Sequence, residues 1–154
     1  MKYIFYILIT ALLTGLDQYS KYLIVKNIPL NEHIEIIKGF FSIAHVRNYG
    51  AGFSILQNQR IFLTLVSILG FLIVSYFLLT DKNNRLYKFS YLLVLAGTLG
   101  NLIDRVRLGY VVDFLDFIIF TYDFPVFNVA DSFITVGCGL LIIIYLFEGK
   151  DATD

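Results

Sequence analysis

Four stretches of the 154-residue chain are almost wholly apolar: residues 3–25, 61–80, 86–103 and 126–147. Each is close to the ~20 residues that a helix needs to cross a ~30 Å hydrocarbon core. They predict four transmembrane helices and, because the number of crossings is even, both termini on one side. The second, IFLTLVSILGFLIVSYFLLT, carries no charge at all. The first follows Lys2 as the apolar core of a signal peptide does, but ALLTGLDQYSK offers no small-x-small cleavage site and LTGL lacks the cysteine of a lipid-attachment site, so it reads as a retained span.

The segments between the spans are unequal. DKNNRLYK packs Lys82, Arg85 and Lys88 between the second and third spans, which by the positive-inside rule puts that loop and the termini in the cytoplasm. The stretches at 26–60 and 104–125 are then extracytoplasmic. In the first, HIEII and FFSIAHVR alternate apolar and polar residues around Gly39, the pattern of a short hairpin or small sheet. RNYGAGFS follows, where Gly50 and its neighbours allow a backbone to approach a ligand closely. The second loop, GYVVDFLDFIIFTYDFP, is rich in β-branched and aromatic residues and reads as strand or interfacial structure. The expected fold is an all-α membrane protein in a single integral-membrane domain, 1–154. It has four transmembrane helices, a small extracytoplasmic β-hairpin or sheet element, and a second extracytoplasmic loop.

Composition agrees. Hydrophobic residues make up 58% and charged residues 16%, with a mean hydropathy of +0.75, whereas soluble domains run near ~25% charged. The formal net charge is zero, without the clustered basic face that nucleic acid requires. The single cysteine, Cys138, sits between Gly137 and Gly139 and reads as a small packing residue. His33 and His45 fall in the most polar part of the chain and read as exposed or interfacial. No metal-ligand spacing is present.

Polar residues inside the spans collect at one membrane face. Asp17 and Lys21, spaced i and i+4, share a face near the end of the first span. GNLIDR ends the third with Asn101, Asp104 and Arg105, and the fourth runs back with Asn128 and Asp131 in its first turns. Alternating spans put all seven near the same surface. A charge at mid-helix costs roughly 2.5–3.5 kcal/mol on insertion scales, so their convergence points to a shared, partly wet site. Ala96, Gly100 and Gly137 offer small surfaces for close helix packing.

Two carboxylates around one water cleave an amide bond when one takes the water's proton and the other, protonated, polarises the scissile carbonyl. Asp131 is one source, and Asp113, Asp116 or Asp123 in the returning loop supplies a second. Spacing does not choose among the three.

The ordered set of D-x-x-x-K, RNYGAGFS, GNLIDR, VVDF and FNVADS over four spans resembles the lipoprotein signal peptidase (signal peptidase II) family, over nearly the whole chain. The resemblance implies a bacterial inner-membrane aspartyl endopeptidase. Its partner would be a prolipoprotein bearing a diacylglyceryl-cysteine, cut just before that cysteine, with the active site near the outer face. It implies Asp113 and Asp131 as the catalytic pair and Asn48, Asn101, Arg105 and Asn128 as substrate-binding residues. Asp17, Lys21, Gly50 and Asp104 would support the site, with Asp116 and Asp123 interfacial. It further implies no metal or organic cofactor, a monomer among membrane lipids, and inhibition by cyclic peptide antibiotics such as globomycin. The chain departs from the family pattern at Ala51-Gly52, where two alanines are usual.

The rival class is a small proton- or ion-coupled transporter, which would place such groups at the midplane between internal repeats. The sequence has no visible repeat. A protein using the same residues only as interhelical glue is a third class, one that would tolerate Asp113→Asn.

Overall fold

The computed structural model describes residues 1–52, 55–81 and 85–151, the side chains of 148–151 excepted. Phe53 and Ser54 of RNYGAGFS and Lys82 of the basic loop lie outside the described residues. Among the described residues four helices, α1 (Lys2–Asn27), α2 (Arg60–Thr80), α3 (Arg85–Arg107) and α4 (Val129–Asp151), are joined by two pairs of strands, one between α1 and α2 and one between α3 and α4. The strands are β1 (His33–Ile37), β2 (Phe41–Asn48), β3 (Val111–Ile119) and β4 (Tyr122–Phe127).

Among the described residues, α2, α3 and α4 are long and apolar enough to cross a membrane. The first expected span forms the 26-residue α1, whose second half carries Asp17, Gln18 and Lys21. The third helix continues to Arg107, beyond the expected 103. The fourth begins at Val129 instead of 126, because Val126 and Phe127 end β4.

The centre of the bundle is α3. In its most apolar window 56% of residues are buried, against 11% in α2 and 17% in α4. The outward faces of α1, α2 and α4 expose Leu12, Leu16, Leu65, Leu69, Ile142 and Ile143, the surface that a lipid-facing helix presents. Helices in lipid gain little from burying apolar area against one another, so their contact depends on close fit. A carbon added at Gly97 would collide with the carbonyl of Ala130 and meet Ile134 Cγ1 at 2.8 Å, and one at Gly137 would lie 2.7 Å from Val94. Gly70, by contrast, faces open space. Gly97→Leu is therefore expected to destabilise the protein by at least about 1–3 kcal/mol through overpacking. Gly70→Ala should be neutral or better, as thermal unfolding in detergent will read. Cys138 is exposed. It points out of the bundle, and the packing role expected of it falls to Gly137.

The segments between α1 and α2 and between α3 and α4 correct the all-α expectation. What the sequence presents as a hairpin and a separate second loop is one four-stranded antiparallel sheet in the order β1-β2-β3-β4. The second loop is itself a hairpin whose turn places Phe120 and Thr121 at φ 47 and 71, the doubly positive form that matches strand twist. Strands β2 and β3 pair across the two loops, with Val46 opposite Asp113 and Asn48 opposite Val111. Ile24 and Ile28 at the end of α1 pack against Val112 and Phe114, seating the root of β3 on the bundle. His45, expected at the surface, is 4% exposed, and its Nδ1 donates to the carbonyl of Ile28 at 2.8 Å. A bulge between Ile43 and Val46 places it there.

Candidate active site

The return from β4 into α4 builds the first half of the site. Asn128 precedes the helix, its Oδ1 accepting the backbone N–H of Asp131 at 3.0 Å while Asp131 Oδ2 accepts the N–H of Asn128 at 3.1 Å. This reciprocal capping box explains an amide and a carboxylate at the start of an apolar helix. It also locks Asp131 in the first turn, where unpaired N–H groups favour an anion.

The amide of Asn128 then reaches across to β3. Its Nδ2 donates to Asp113 Oδ1 at 2.6 Å, so a single residue touches both carboxyl groups. Asn48 Nδ2 donates to Asp113 Oδ2 at 2.9 Å, and Asn101 Nδ2 donates to Asp131 Oδ1 at 2.7 Å. Every oxygen of the two carboxyls thus accepts one neutral N–H, and among the described residues no cation touches either.

The other two buried acids are arranged differently. Lys21 Nζ lies 2.9 Å from Asp17 Oδ2 and 3.0 Å from Asp104 Oδ2, and donates to Asn101 Oδ1 at 3.0 Å. Three acceptors match its three protons. Asp17 Oδ1 also accepts the N–H of Ala130 at 2.9 Å, capping α4 from α1, and Asp104 Oδ2 accepts the N–H of Val112 at 3.2 Å, fixing where β3 leaves α3. These acids are charge-balanced and occupied by backbone. Through Asn101, Lys21 also fixes which end of that amide faces Asp131.

Asp113 and Asp131 line a cavity of about 700 Å³ between α2 and α4, over α3. Asn48, Asn101 and Arg105 share the lining with Val66, Ser67, Gly70, Thr98 and Thr135, and β4 contributes Phe124 to Phe127. Arg105 Nη2 donates to the carbonyl of Gly50 at 3.1 Å, tying the glycine-containing segment to α3. Asp116 and Asp123 are absent from this lining; Asp116 pairs with Ser42 in the sheet and Asp123 is exposed.

Burial, and then the charge of Asp131, push the Asp113 carboxyl from its ordinary value up to about 7, against the opposing pull of the Asn48 and Asn128 hydrogen bonds and of Lys21. The folded state therefore holds a proton on Asp113 that the unfolded chain releases near pH 4. Stability at this group is lost as pH rises from about 4 towards 7.

The ten residues that the family resemblance implies for the site are drawn into this one network. Two participants escaped sequence reasoning. Gln18 Nε2 donates to Asp104 Oδ1 at 2.9 Å and to the carbonyl of Gly100 at 3.1 Å, and Ala130 supplies the N–H held by Asp17. Neither residue type signals such a role, since one acts through a backbone atom and the other resembles any helix glutamine.

Lipid-facing helices around a cavity with two unbalanced carboxyls define the class of a membrane enzyme. The comparisons with known proteins are specific. Residues 9–147 match the family model described as signal peptidase (SPase) II. A lipoprotein signal peptidase of Enterococcus faecalis is 47% identical, over 97% of this chain and 96% of its own length. One of Caldanaerobacter subterraneus subsp. tengcongensis is 43% identical over 93% and 97%. A solved structure described as a bacterial membrane enzyme superposes with a TM-score of 0.88 at 39% identity, covering 97% of this chain and 91% of that one. The chain belongs to the signal peptidase II family, a family of proteases.

Proposed function

We propose that the chain is an aspartyl endopeptidase that removes the signal peptide from diacylglyceryl-modified bacterial prolipoproteins, cutting just before the lipid-modified cysteine. The observation that carries the mechanism is the pair Asp113 and Asp131. Among the four carboxyls of this network, these two lack a direct cationic partner among the described residues, line the cavity and are bridged by one asparagine. Two such carboxyls keep one proton between them.

The protonated member, Asp113 at the start, donates a hydrogen bond to the scissile carbonyl, while Asp131 takes a proton from a water held between them. The resulting hydroxide adds to the carbonyl carbon. The tetrahedral intermediate collapses as a proton passes to the leaving nitrogen of the cysteine, the signal peptide departs with a new carboxyl terminus, and the pair regains its single proton. Asn48 and Asn101 hold the carboxyls from behind. Arg105 presents donors for the substrate backbone; Asn128, expected to do so too, is wholly buried with its amide bound to Asp113 and Asn101, and it joins Asp17, Lys21, Gly50 and Asp104 in supporting the arrangement.

The substrate's chemistry fits the setting. A signal peptide is already a membrane helix, and a cavity flanked by α2 and α4 at one end of the bundle receives it sideways, while acyl chains remain in lipid. In this reading α1 is a fourth span, the termini are cytoplasmic with Arg85, and the carboxyls lie near the outer face of the inner membrane. Lys88, part of the basic loop, donates to the carbonyls of Leu78 and Asp81 at the end of α2. The protein works as a monomer without metal or cofactor, and cyclic peptides of the globomycin type compete for the cavity.

The test is product mapping by mass spectrometry with purified enzyme and one prolipoprotein, with and without its diacylglyceryl group. Cleavage is expected on the N-terminal side of the modified cysteine, with the unmodified chain left intact. A cut elsewhere, or equal turnover of both forms, would contradict the reading.

A further inference from the structure

Arg60 stands at the first position of α2, where a basic residue is out of place. A helix N-terminus disfavours cations. Its guanidinium turns away from its own helix to the end of α3. Nε donates to the carbonyl of Arg105 at 2.9 Å and Nη2 to the carbonyl of Val106 at 2.8 Å. These belong to the last turn of α3, where carbonyls lack partners in the helix. The chain turns back at Gly109, with φ +86, and a carbon added there would lie 3.4 Å from Arg60 Nη1. The glycine thus both makes the turn and leaves room for the guanidinium.

Arg105 is held at its backbone by Arg60 and reaches with its side chain to the carbonyl of Gly50. Gly50 in turn donates its N–H to Asn48 Oδ1 at 2.8 Å, which orients that amide so that Nδ2 faces Asp113. The stretch from Asn48 to Arg60 is therefore pinned to the same turn of α3 at both ends, once by each arginine.

We infer that Arg60 is a positioning residue for the peptidase site: it closes this double clasp, and through Arg105 and Gly50 it fixes Asn48 against Asp113. The inference rests on the proposed peptidase reading. A planar fork suits two adjacent carbonyls, whereas a lysine reaches one and keeps the charge at the end of α3. A helix cap alone needs just that charge. The clasp needs the fork.

The experiment compares wild type, Arg60→Lys and Arg60→Gln on diacylglyceryl-modified prolipoprotein, with kcat and KM normalised to folded enzyme and thermal unfolding measured in the same detergent. Displacement of a supporting group by about 1 Å costs up to roughly 100-fold. Arg60→Gln is expected to lose about 10- to 100-fold, mainly in kcat, and Arg60→Lys to recover part of it. Unchanged kcat in both variants with a lowered unfolding temperature would overturn the inference, leaving a helix cap and nothing more. If wild type fails to cleave, or the Asp113→Asn control cleaves, it is the peptidase reading that fails. Should Arg60→Gln not fold, the kcat of Arg60→Lys decides, since a cap predicts wild-type turnover from it.

Discussion

Asp113→Asn is expected to lose about 10²–10⁴-fold or more in kcat/KM while the folded protein becomes more stable at pH 8. The two effects share one cause. An asparagine keeps the shape and its oxygen can still receive one of Asn48 and Asn128, which donate to different oxygens of Asp113, but it neither carries nor returns a proton. It also removes the ionised form that burial and Asp131 oppose. A carboxyl raised to about 7 disfavours folding at pH 8 by up to about 4 kcal/mol, and a neutral isostere relieves part of that. Asp131→Asn should be equally inactive. Its gain in stability should be smaller, because Asp131 also caps α4. Turnover close to wild type by either variant, or a loss of activity that merely tracks unfolding, would remove the pair from the chemistry.

The second large effect is expected at Lys21. Its three protons meet Asp17, Asp104 and Asn101 at 2.9–3.0 Å at a residue 3% exposed. Lys21→Met preserves the stem and removes the charge, stranding two buried carboxylates. Breaking a buried pair from one side costs about 3–5 kcal/mol, a fall of roughly 10 °C in unfolding temperature for a chain of this size. The damage extends past the ion pair. Asp17 holds the N–H of Ala130, Asp104 holds the N–H of Val112, and Asn101 loses one of the two donors, Lys21 and Asn128, that hold its oxygen and so point its nitrogen at Asp131. A variant that unfolds within a degree or two of wild type would show that the network stabilises far less than its geometry implies.

Residue pattern carried much of this arrangement. Apolar runs marked the helices because lipid tolerates little else, and alternating crossings forced Asp17, Lys21, GNLIDR and FNVADS to one end whatever the orientation. The sheet was half legible. HIEII and FFSIAHVR alternate as strands do and GYVVDFLDFIIFTYDFP is rich in β-branched and aromatic residues, but pairing β2 with β3 joins residues more than 60 apart in sequence, and its register depends on a bulge that buries His45. Local periodicity holds no record of either. The choice of Asp113 over Asp116 and Asp123 came from a family resemblance, and the physical difference became visible in three dimensions: Asp113 lines the cavity and receives Asn48 and Asn128, whereas Asp116 and Asp123 stay outside that lining. Arg60 and Ala130 were illegible because each acts on or through backbone atoms, which every residue type possesses alike.

The proposal that two carboxyls share one proton around one water is tested most directly by the pH dependence of kcat/KM for prolipoprotein cleavage. The account predicts a bell. Activity falls at low pH, where both groups are protonated and none accepts the water's proton, and falls again above about pH 7, where the last proton leaves the pair. A rate that stays level or keeps rising to pH 9 would mean that no protonated carboxyl takes part, and the shared-proton mechanism would have to be abandoned.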